Sequence, residues 1–151
     1  PFSSLEDLDV YLPDFEFAKK RGLKLLCANP DIIVDRGSVR EWCAGALAKM
    51  YTDLGGESLY FGKPFKPIYD LARRRLEASG VQIKNNRILA IGDGITTDIL
   101  GAEQEGIDSL FITGGLAALE TGTKEQPDQD LLKHYLDQQK LSPAYSIGFL
   151  R

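Results

Sequence analysis

The stretch that decides the fold is RILAIGDGITTD, residues Arg87–Asp98. Its first half, Arg87–Gly92, is a short apolar run with branched side chains, which predicts a buried strand. In open parallel sheets, ligands bind beyond the carboxyl ends of the strands, and Asp93 falls at such an end. Gly92 and Gly94 lie on either side of it, where the missing Cβ lets backbone come close to a ligand. The stretch therefore predicts a strand, a ligand-binding turn and a short helix.

A second carboxylate, Asp98, follows five residues after Asp93. It falls in the first turn of the predicted helix, so both carboxylates can face one pocket. Two carboxylates at a strand end suit a hard cation such as Mg²⁺, which prefers oxygen ligands and keeps several waters. A purely structural role fits as well, with Asp93 capping a turn and Asp98 stabilising the helix N-terminus through its dipole. These two residues alone leave both interpretations open.

Outward from this stretch, strands and helices alternate along the chain. Further strands are predicted over residues 23–28, 58–61, 109–113 and 145–150, and helices over 8–22, 38–54, 67–80 and 131–139, with a short helix that follows Asp93–Asp98 and runs to about Glu105. The polar segment 120–130 reads as a loop. This rhythm is typical of βαβ units and a parallel sheet, so the predicted fold class is α/β with a parallel sheet.

Composition excludes several classes of partner. Lys and Arg total 18 against 22 Asp and Glu, a formal net charge of −4, which argues against nucleic acid because phosphate backbones reward clustered positive charge. No apolar run approaches the roughly 20 residues that span a bilayer, so no membrane partner is expected. Cys27 and Cys43 match no metal-binding or redox spacing, which predicts free thiols in a reducing cytoplasm. The single histidine, His134, excludes a His-rich metal site.

The tripeptide Gly62-Lys63-Pro64 follows the strand predicted over 58–61. A residue before proline is held in an extended turn conformation rather than a helix. A cation placed there could neutralise a phosphate and the carboxylates around it. By itself, the tripeptide fits an ordinary turn with an exposed lysine equally well.

Taken in order, these features resemble the third and fourth motifs of haloacid dehalogenase (HAD) superfamily phosphatases. The shared pattern is strand, Gly-Lys-Pro, helix and then, about thirty residues later, strand, Gly-Asp-x-x-x-x-Asp, helix. The upstream stretch Cys27-Ala28-Asn29-Pro30-Asp31, together with Tyr60-Phe61-Gly62-Lys63-Pro64, looks like the class IIA branch. That branch includes phosphatases of sugar phosphates, nucleotides, 4-nitrophenyl phosphate and similar small esters. The resemblance runs from about Leu23 to Ile112.

The resemblance implies a Mg²⁺-dependent phosphate monoester hydrolase that works through an aspartyl phosphate. Lys63 would stabilise the phosphoryl group and the aspartate nucleophile. Asp93 would be a direct Mg²⁺ ligand. Asp98 would lie at the edge of the metal, where it holds a coordinated water or pairs with Lys63.

The resemblance also implies a domain organisation. Residues 1–61 would be part of a cap domain, the lobe that closes over the substrate, and residues 62–151 the C-terminal half of the Rossmann-like core. Asn29 and Asp31 would belong to the cap and face a small phosphorylated metabolite. Arg36 would be a specificity residue, although an ordinary surface arginine fits the sequence equally well. The substrate stays unspecified, and a homo-oligomer stays open.

The chain departs from the family pattern at its start. The family begins catalysis with Asp-x-Asp at the end of an apolar strand, where the first Asp attacks phosphorus and the second acts as acid and base. The only Asp-x-Asp here is Asp7-Leu8-Asp9, and helical spacing continues through it into Tyr11 and Leu12. This predicts an exposed helix start rather than a nucleophile. We therefore expect the C-terminal part of a longer hydrolase, inactive alone.

Two other interpretations stay open from sequence. One is a non-catalytic phosphate- and metal-binding or regulatory HAD-like protein. The other is a non-enzymatic α/β domain in which the motif match arose by chance. An apolar strand ending in Asp-x-Asp-Gly upstream in the gene would favour the enzyme over both.

Overall fold

The computed structural model of the protein describes residues 8–36 and 39–151. The chain divides into two compact units, Pro1–Ile68 and Tyr69–Arg151. The strands are β1 Lys24–Cys27, β2 Ile33–Arg36, β3 Val39–Trp42, β4 Glu57–Tyr60, β5 Leu89–Gly92, β6 Asp108–Ile112 and β7 Tyr145–Ile147. The helices are α1 Leu12–Lys20, α2 Ala44–Asp53, α3 Lys66–Ala78, α4 Leu100–Gln104 and α5 Gln129–Gln139. The predicted α/β class is confirmed.

The first unit is built on the parallel pair β1 and β4, in register from Lys24 opposite Glu57 to Cys27 opposite Tyr60. Helix α2 packs on this pair because its small residues allow a close approach: the Ser58 hydroxyl donates to the Ala48 carbonyl at 2.8 Å. Tyr51 is 1% exposed, and its hydroxyl donates to the Leu23 carbonyl at 2.6 Å. This contact fixes the start of β1 against the helix.

The start of the described chain agrees with the predicted helix. Residues Leu8–Tyr11 form a 3-10 turn that continues into α1. Gly22, with a φ of 65°, follows the end of that helix. Asp9 therefore lies in a helical turn, as expected, whereas Asp7 of the Asp-x-Asp lies outside the described residues.

The prediction of one helix over 38–54 was wrong in its first part. Val39–Trp42 is the strand β3, paired antiparallel with β2, and α2 begins only at Ala44. Ser38, with Glu41 three residues later, fits a capping box and favoured a helix start, but Val39 and Trp42 are residues suited to strands. Gly-Ser, which separates the two strands in sequence, is a hairpin signal that outweighs the cap.

The second unit contains a three-stranded sheet in the order β5-β6-β7. Both pairs are parallel, so the prediction of a parallel sheet is confirmed. One face carries a core of buried residues contributed by several elements: Ile95, Ile99, Phe111, Ala117 and Leu132. Helix α5 joins this core after an N-cap by Asp128, whose carboxylate accepts from two backbone amides at 3.0 Å.

Several boundaries differ from the predictions by a few residues. Strand β7 covers Tyr145–Ile147 rather than 145–150, and a π-helical turn, Ile95–Ile99, precedes the short α4. In the described part of the chain, no helix has the length and apolar character needed to cross a bilayer. The assignment of residues 1–61 to a cap and 62–151 to a core stays a prediction, because compactness alone places the division between Ile68 and Tyr69.

Candidate functional site

The turn Gly92-Asp93-Gly94 lies at the carboxyl end of β5, where the sequence predicted it. Asp93 is half-buried and Gly94 is buried. The chain then enters the π-helical turn, whose first bonds converge on the Gly94 carbonyl: the amides of Asp98 and Ile99 donate to it at 2.8 and 3.1 Å. A compact loop therefore presents Asp93 at the sheet edge where ligands bind in folds of this kind.

Asp98 folds back onto the same turn. Its Oδ2 accepts a hydrogen bond from the Gly94 amide at 3.1 Å. The five-residue spacing therefore brings the second carboxylate to the loop that carries the first, and the expectation that both carboxylates face one pocket stays a prediction. The bond also performs the structural role of satisfying a backbone donor at a helix start.

The loop after β6 supplies a contact that sequence reasoning missed. The backbone amide of Leu116 donates to Asp93 Oδ2 at 3.3 Å. Gly115 lies so close that a Cβ on it would be 2.1 Å from the same oxygen, so a glycine is needed here for the loop to reach the carboxylate. The sequence signal that was available is the pair Gly114-Gly115, which follows a predicted strand. Sequence spacing alone does not show that this loop contacts Asp93.

An open cavity of about 360 Å³ adjoins Asp93. Its lining combines the Asp93 turn, glycines of the β6 loop and apolar side chains from the strand ends: Ile91, Gly92, Asp93, Ile112, Gly114, Gly115, Phe149 and Leu150. A carboxylate beside low-polarity walls interacts more strongly with a cation than one surrounded by water. The cavity is large enough for a hydrated metal ion and a phosphate group.

The phenol of Tyr69, in α3, is close enough to Asp98 for the charge of that carboxylate to shift its pKa. Burial raises the pKa of the Tyr69 phenol, and the negative charges of Asp98 and Glu105 raise it further. The side chain therefore remains a neutral phenol near Asp98. No pattern in the sequence singles Tyr69 out, because its proximity to Asp98 depends on tertiary packing within the second unit.

In the first unit, the loop Asn29-Pro30-Asp31 contacts Gly62 and the residues at the start of helix α2. Gly62 packs so tightly against it that a Cβ would lie 2.2 Å from Pro30 Cδ. The Asn29 side chain donates to Cys43 Sγ at 3.1 Å and accepts from the Asp31 amide at 3.2 Å. The Asp31 carbonyl accepts from the Gly45 amide at 3.0 Å. Two of the predicted substrate residues are thus fixed beside Gly62.

Lys63 follows directly, on a turn closed by a hydrogen bond from the Phe65 amide to the Gly62 carbonyl at 3.0 Å. Stacking of Tyr60 on Phe65, with ring centroids 4.7 Å apart, fastens the turn to the end of β4. The Lys63 side chain is exposed. The first unit therefore brings together the loop of Asn29 and Asp31 and the turn of Lys63.

The predicted site residues are thus distributed between the two units. Asn29, Asp31 and Lys63 lie in the first, and Asp93 and Asp98 in the second. Arg36 ends β2, but its side chain lies outside the described residues. The convergence of Lys63 with the two carboxylates stays a prediction.

The donor set of the second unit fits a hard divalent cation. Asp93 and Asp98 supply carboxylate oxygens at one turn, which is the ligand type that Mg²⁺ prefers. Across residues 8–36 and 39–151, no group of three or more His, Cys, Asp or Glu side chains is arranged to hold a metal ion. The two carboxylates therefore fit part of a Mg²⁺ coordination shell, with water and phosphate as suitable further ligands.

Comparison with known proteins identifies the family and the fold of this chain. Residues 60–138 match the HAD-hydrolase-like family. A HAD-like hydrolase from Brucella suis is 38% identical, with a TM-score of 0.75 over 97% of this chain and 51% of its own. A thermostable NPPase double mutant from Geobacillus stearothermophilus is 26% identical, with a TM-score of 0.58 over 81% of this chain and 47% of its own.

A p-nitrophenyl phosphatase from Archaeoglobus fulgidus, 19% identical, shares the fold, with a TM-score of 0.64 over 94% of this chain and 49% of its own. The chain thus spans about half the length of the solved structures it matches. Among curated proteins, none matches it. The family match covers the Lys63 turn, the Asp93 turn and strands β5 and β6, which is more than half of the chain, so the chain belongs to the HAD-hydrolase-like family.

Proposed function

We propose that this chain forms the metal- and phosphate-binding part of a Mg²⁺-dependent phosphatase. One observation supports this most strongly. Asp93 stands at the carboxyl end of β5 beside an open cavity, and Asp98 folds back onto the same turn through its bond to the Gly94 amide. A purely structural role would need the bond between Asp98 and the Gly94 amide, but it would not need Asp93 beside a cavity.

In this proposal, each residue has a distinct task. Asp93 would hold the metal directly, and Asp98 would hold a metal-bound water or pair with Lys63. Lys63 binds the phosphoryl oxygens and offsets their charge. The bound Mg²⁺ lowers the cost of concentrating negative charge on the phosphate.

The phosphoryl group passes from the substrate to an aspartate carboxylate outside these residues. The ester P–O bond breaks as the new P–O bond forms, and the leaving oxygen takes a proton from a general acid. Water then attacks phosphorus, releases inorganic phosphate and restores the carboxylate. The nucleophile and the acid would belong to an Asp-x-Asp motif at the end of a strand, and none of the strands in residues 8–36 and 39–151 ends in one.

The proposed substrate is a small phosphorylated metabolite in the cytoplasm, such as a sugar phosphate or a nucleotide. The proposal assigns Asn29, Asp31 and Arg36 to the cap surface that meets the non-phosphate part of it. The clamping of Asn29-Pro30-Asp31 against Gly62 supports this, because it ties a polar loop to the turn that carries Lys63.

The experiment compares Asp93→Asn with Asp108→Asn. Asp108 is an exposed carboxylate at the opposite end of the sheet, where β6 begins, so the control removes the same charge away from the site. Mn²⁺, as a paramagnetic substitute for Mg²⁺, is titrated into each variant and followed by electron paramagnetic resonance. In the complete protein, hydrolysis of 4-nitrophenyl phosphate is measured alongside.

Asp93→Asn should abolish measurable Mn²⁺ binding and lower turnover by at least about 100-fold, since metal stabilisation amounts to several kcal/mol. Asp108→Asn should change neither quantity. Equal binding by both variants would refute the metal role of Asp93. Metal binding without turnover in the complete protein would instead favour the regulatory alternative.

A further inference from the structure

Three threonine hydroxyls form a chain beneath the loop that follows β6. The Thr123 hydroxyl donates to the Thr113 hydroxyl at 2.8 Å, and lies 2.7 Å from the Thr121 hydroxyl. At one end, Thr113 donates to the Ile147 carbonyl at 3.3 Å. At the other, the Thr121 hydroxyl lies 2.7 Å from the Ala117 carbonyl, and its single proton is donated either to that oxygen or to the Thr123 hydroxyl. Thr113 and Thr121 are both 0% exposed.

This chain of hydroxyls closes the loop on itself. Thr113 lies just after β6, and Thr121 and Thr123 lie at the far end of the segment that begins with Gly114. The Thr123 amide also donates to the Ala118 carbonyl at 2.8 Å. The two ends of the loop are therefore tied together by side chains, and the backbone bond closes its second half.

The closed loop is the one that touches Asp93. Its Leu116 amide donates to Asp93 Oδ2, and its Gly115 packs against that carboxylate. Between these contacts and Thr121 lies Ala117, which is 3% exposed and packs in the core of the second unit. The threonine chain and the Asp93 contact are thus opposite sides of one short, anchored segment.

Burying hydroxyls in an apolar core is costly unless each is hydrogen-bonded. Valine has nearly the shape of threonine and would fill the same space without that cost. A connected polar network is worth its cost where it fixes one arrangement of a segment among several. Here the fixed arrangement is the one that directs the Leu116 amide at Asp93.

We propose that Thr123, acting with Thr113 and Thr121, is a positioning residue for the Asp93 carboxylate. The three hydroxyls hold the Gly115–Leu116 backbone in place, and that backbone fixes the orientation in which Asp93 meets its metal. The metal part of this inference rests on the proposed function, whereas the loop part does not.

Thr123→Val is the decisive variant because it removes only the central link. Thr113 keeps its bond to the Ile147 carbonyl and Thr121 keeps its bond to the Ala117 carbonyl, so neither fully buried hydroxyl is left without a partner. Thr123→Ser restores the hydroxyl and serves as the rescue. Thr52→Val is the matched control, since the Thr52 hydroxyl contacts the carbonyl four residues earlier, as that of Thr121 does, but in helix α2 of the first unit.

Two quantities are measured on the folded protein: the exchange rate of the Leu116 amide hydrogen by NMR, and the affinity for Mn²⁺ alone. Thr123→Val should speed Leu116 exchange and weaken Mn²⁺ binding by about tenfold. This is the smaller of the losses in metal affinity that are typical when a residue that orients a metal ligand is removed. Thr123→Ser and Thr52→Val should match the wild type in both. Leu132→Ala, which trims the same core without removing a hydrogen bond, should lower the melting temperature and leave the Mn²⁺ affinity unchanged.

If Thr123→Val leaves Leu116 exchange at the wild-type rate, the inference is overturned. Faster exchange with unchanged Mn²⁺ affinity also overturns it, because the network would then serve the fold alone. If the wild type binds no Mn²⁺, the proposed function fails, and a Leu116 exchange rate that differs between Thr123→Val and Thr123→Ser still supports the loop half of the inference.

Discussion

Cys27 and Cys43, which look equivalent in the sequence, occupy different environments. Cys27 is 1% exposed and donates through Sγ to the Asn29 carbonyl at 3.3 Å, whereas Cys43 is half-buried and accepts from the Asn29 side chain. Burial raises the pKa of the Cys27 thiol, and the charges of Cys43 and Asp31 add to this, although the bond to Asn29 opposes it. Cys27 is therefore a neutral structural thiol.

We predict that iodoacetamide alkylates Cys43 faster than Cys27 in the folded protein, because the thiolate is the nucleophile and Cys27 stays protonated. Mass spectrometry of timed samples measures the two rates. In guanidinium chloride, which removes the burial, the rates should become similar. Faster alkylation of Cys27 in the folded state would contradict its assignment as a buried thiol.

The same pKa shift has a consequence for stability. Because the folded-state pKa of Cys27 lies above its unfolded value, the stabilisation is complete at pH values below the unfolded pKa. It is lost as pH rises through the folded pKa, since the unfolded state releases its proton first. Cys27→Ala should therefore flatten the decline of the free energy of unfolding at alkaline pH.

At the scale of elements, an ion pair joins Arg73 of α3 to Glu105, the residue that directly follows α4. The Glu105 side chain is 10% exposed and that of Arg73 is 31% exposed, so the pair is largely shielded from water. Arg73 also contacts the Asn85 side chain at 3.5 Å. Removing one partner of such a pair leaves a charge that water solvates poorly.

Arg73→Ala should therefore lower the free energy of unfolding by about 1–3 kcal/mol. The control is Lys49→Ala in α2, whose pair with Asp53 is 64% and 62% exposed and should contribute no more than about 0.5 kcal/mol. Urea denaturation measures both. Equal effects of the two substitutions would show that Glu105 is solvated and that the pair does not join it to α3.

Local sequence patterns predicted helices and strands correctly where a single signal dominated. The apolar run before Asp93 gave β5, and Gly22 gave the end of the first helix. The hairpin of β2 and β3 was missed because a capping pattern and a strand pattern overlapped at Val39–Trp42, and strand pairing decided between them.

The site was predictable to the same degree. Asp93 and Asp98 could be found because five residues of sequence fix their common turn. Leu116, Tyr69 and the threonine chain could not, because each reaches the site from another element. Their contacts depend on tertiary packing, which leaves no periodic signal in the sequence.

At the scale of the whole molecule, strand β5 exposes apolar side chains to water. Strand β6 pairs with one of its edges, and in the part of the chain that the structure describes no strand pairs with the other. Leu89 and Ile91 are 45% and 50% exposed on one of its faces. Parallel strands are usually covered on both faces, and an uncovered apolar edge favours aggregation.

We therefore predict that Pro1–Arg151 expressed alone self-associates, binds a hydrophobic dye and does not hydrolyse 4-nitrophenyl phosphate. Further residues of a longer chain, a second copy or another subunit would cover β5. Leu89→Lys should reduce self-association, whereas Gln82→Lys, an equally cationic change at an exposed position, should not. Light scattering distinguishes the outcomes, and a clean monomer with a sharp melt and normal turnover would contradict the prediction.

The central claim is that Lys63 and Asp93 serve one phosphate and one metal. The most direct test is an experimental structure of the complete protein with Mg²⁺ and inorganic phosphate. We expect an Asp93 oxygen about 2.0–2.1 Å from the metal and the Lys63 ammonium within about 8 Å of the Asp93 carboxylate, with the phosphate between them. A well-occupied metal that Asp93 does not touch, or Lys63 and Asp93 on opposite edges of the sheet, would contradict the claim.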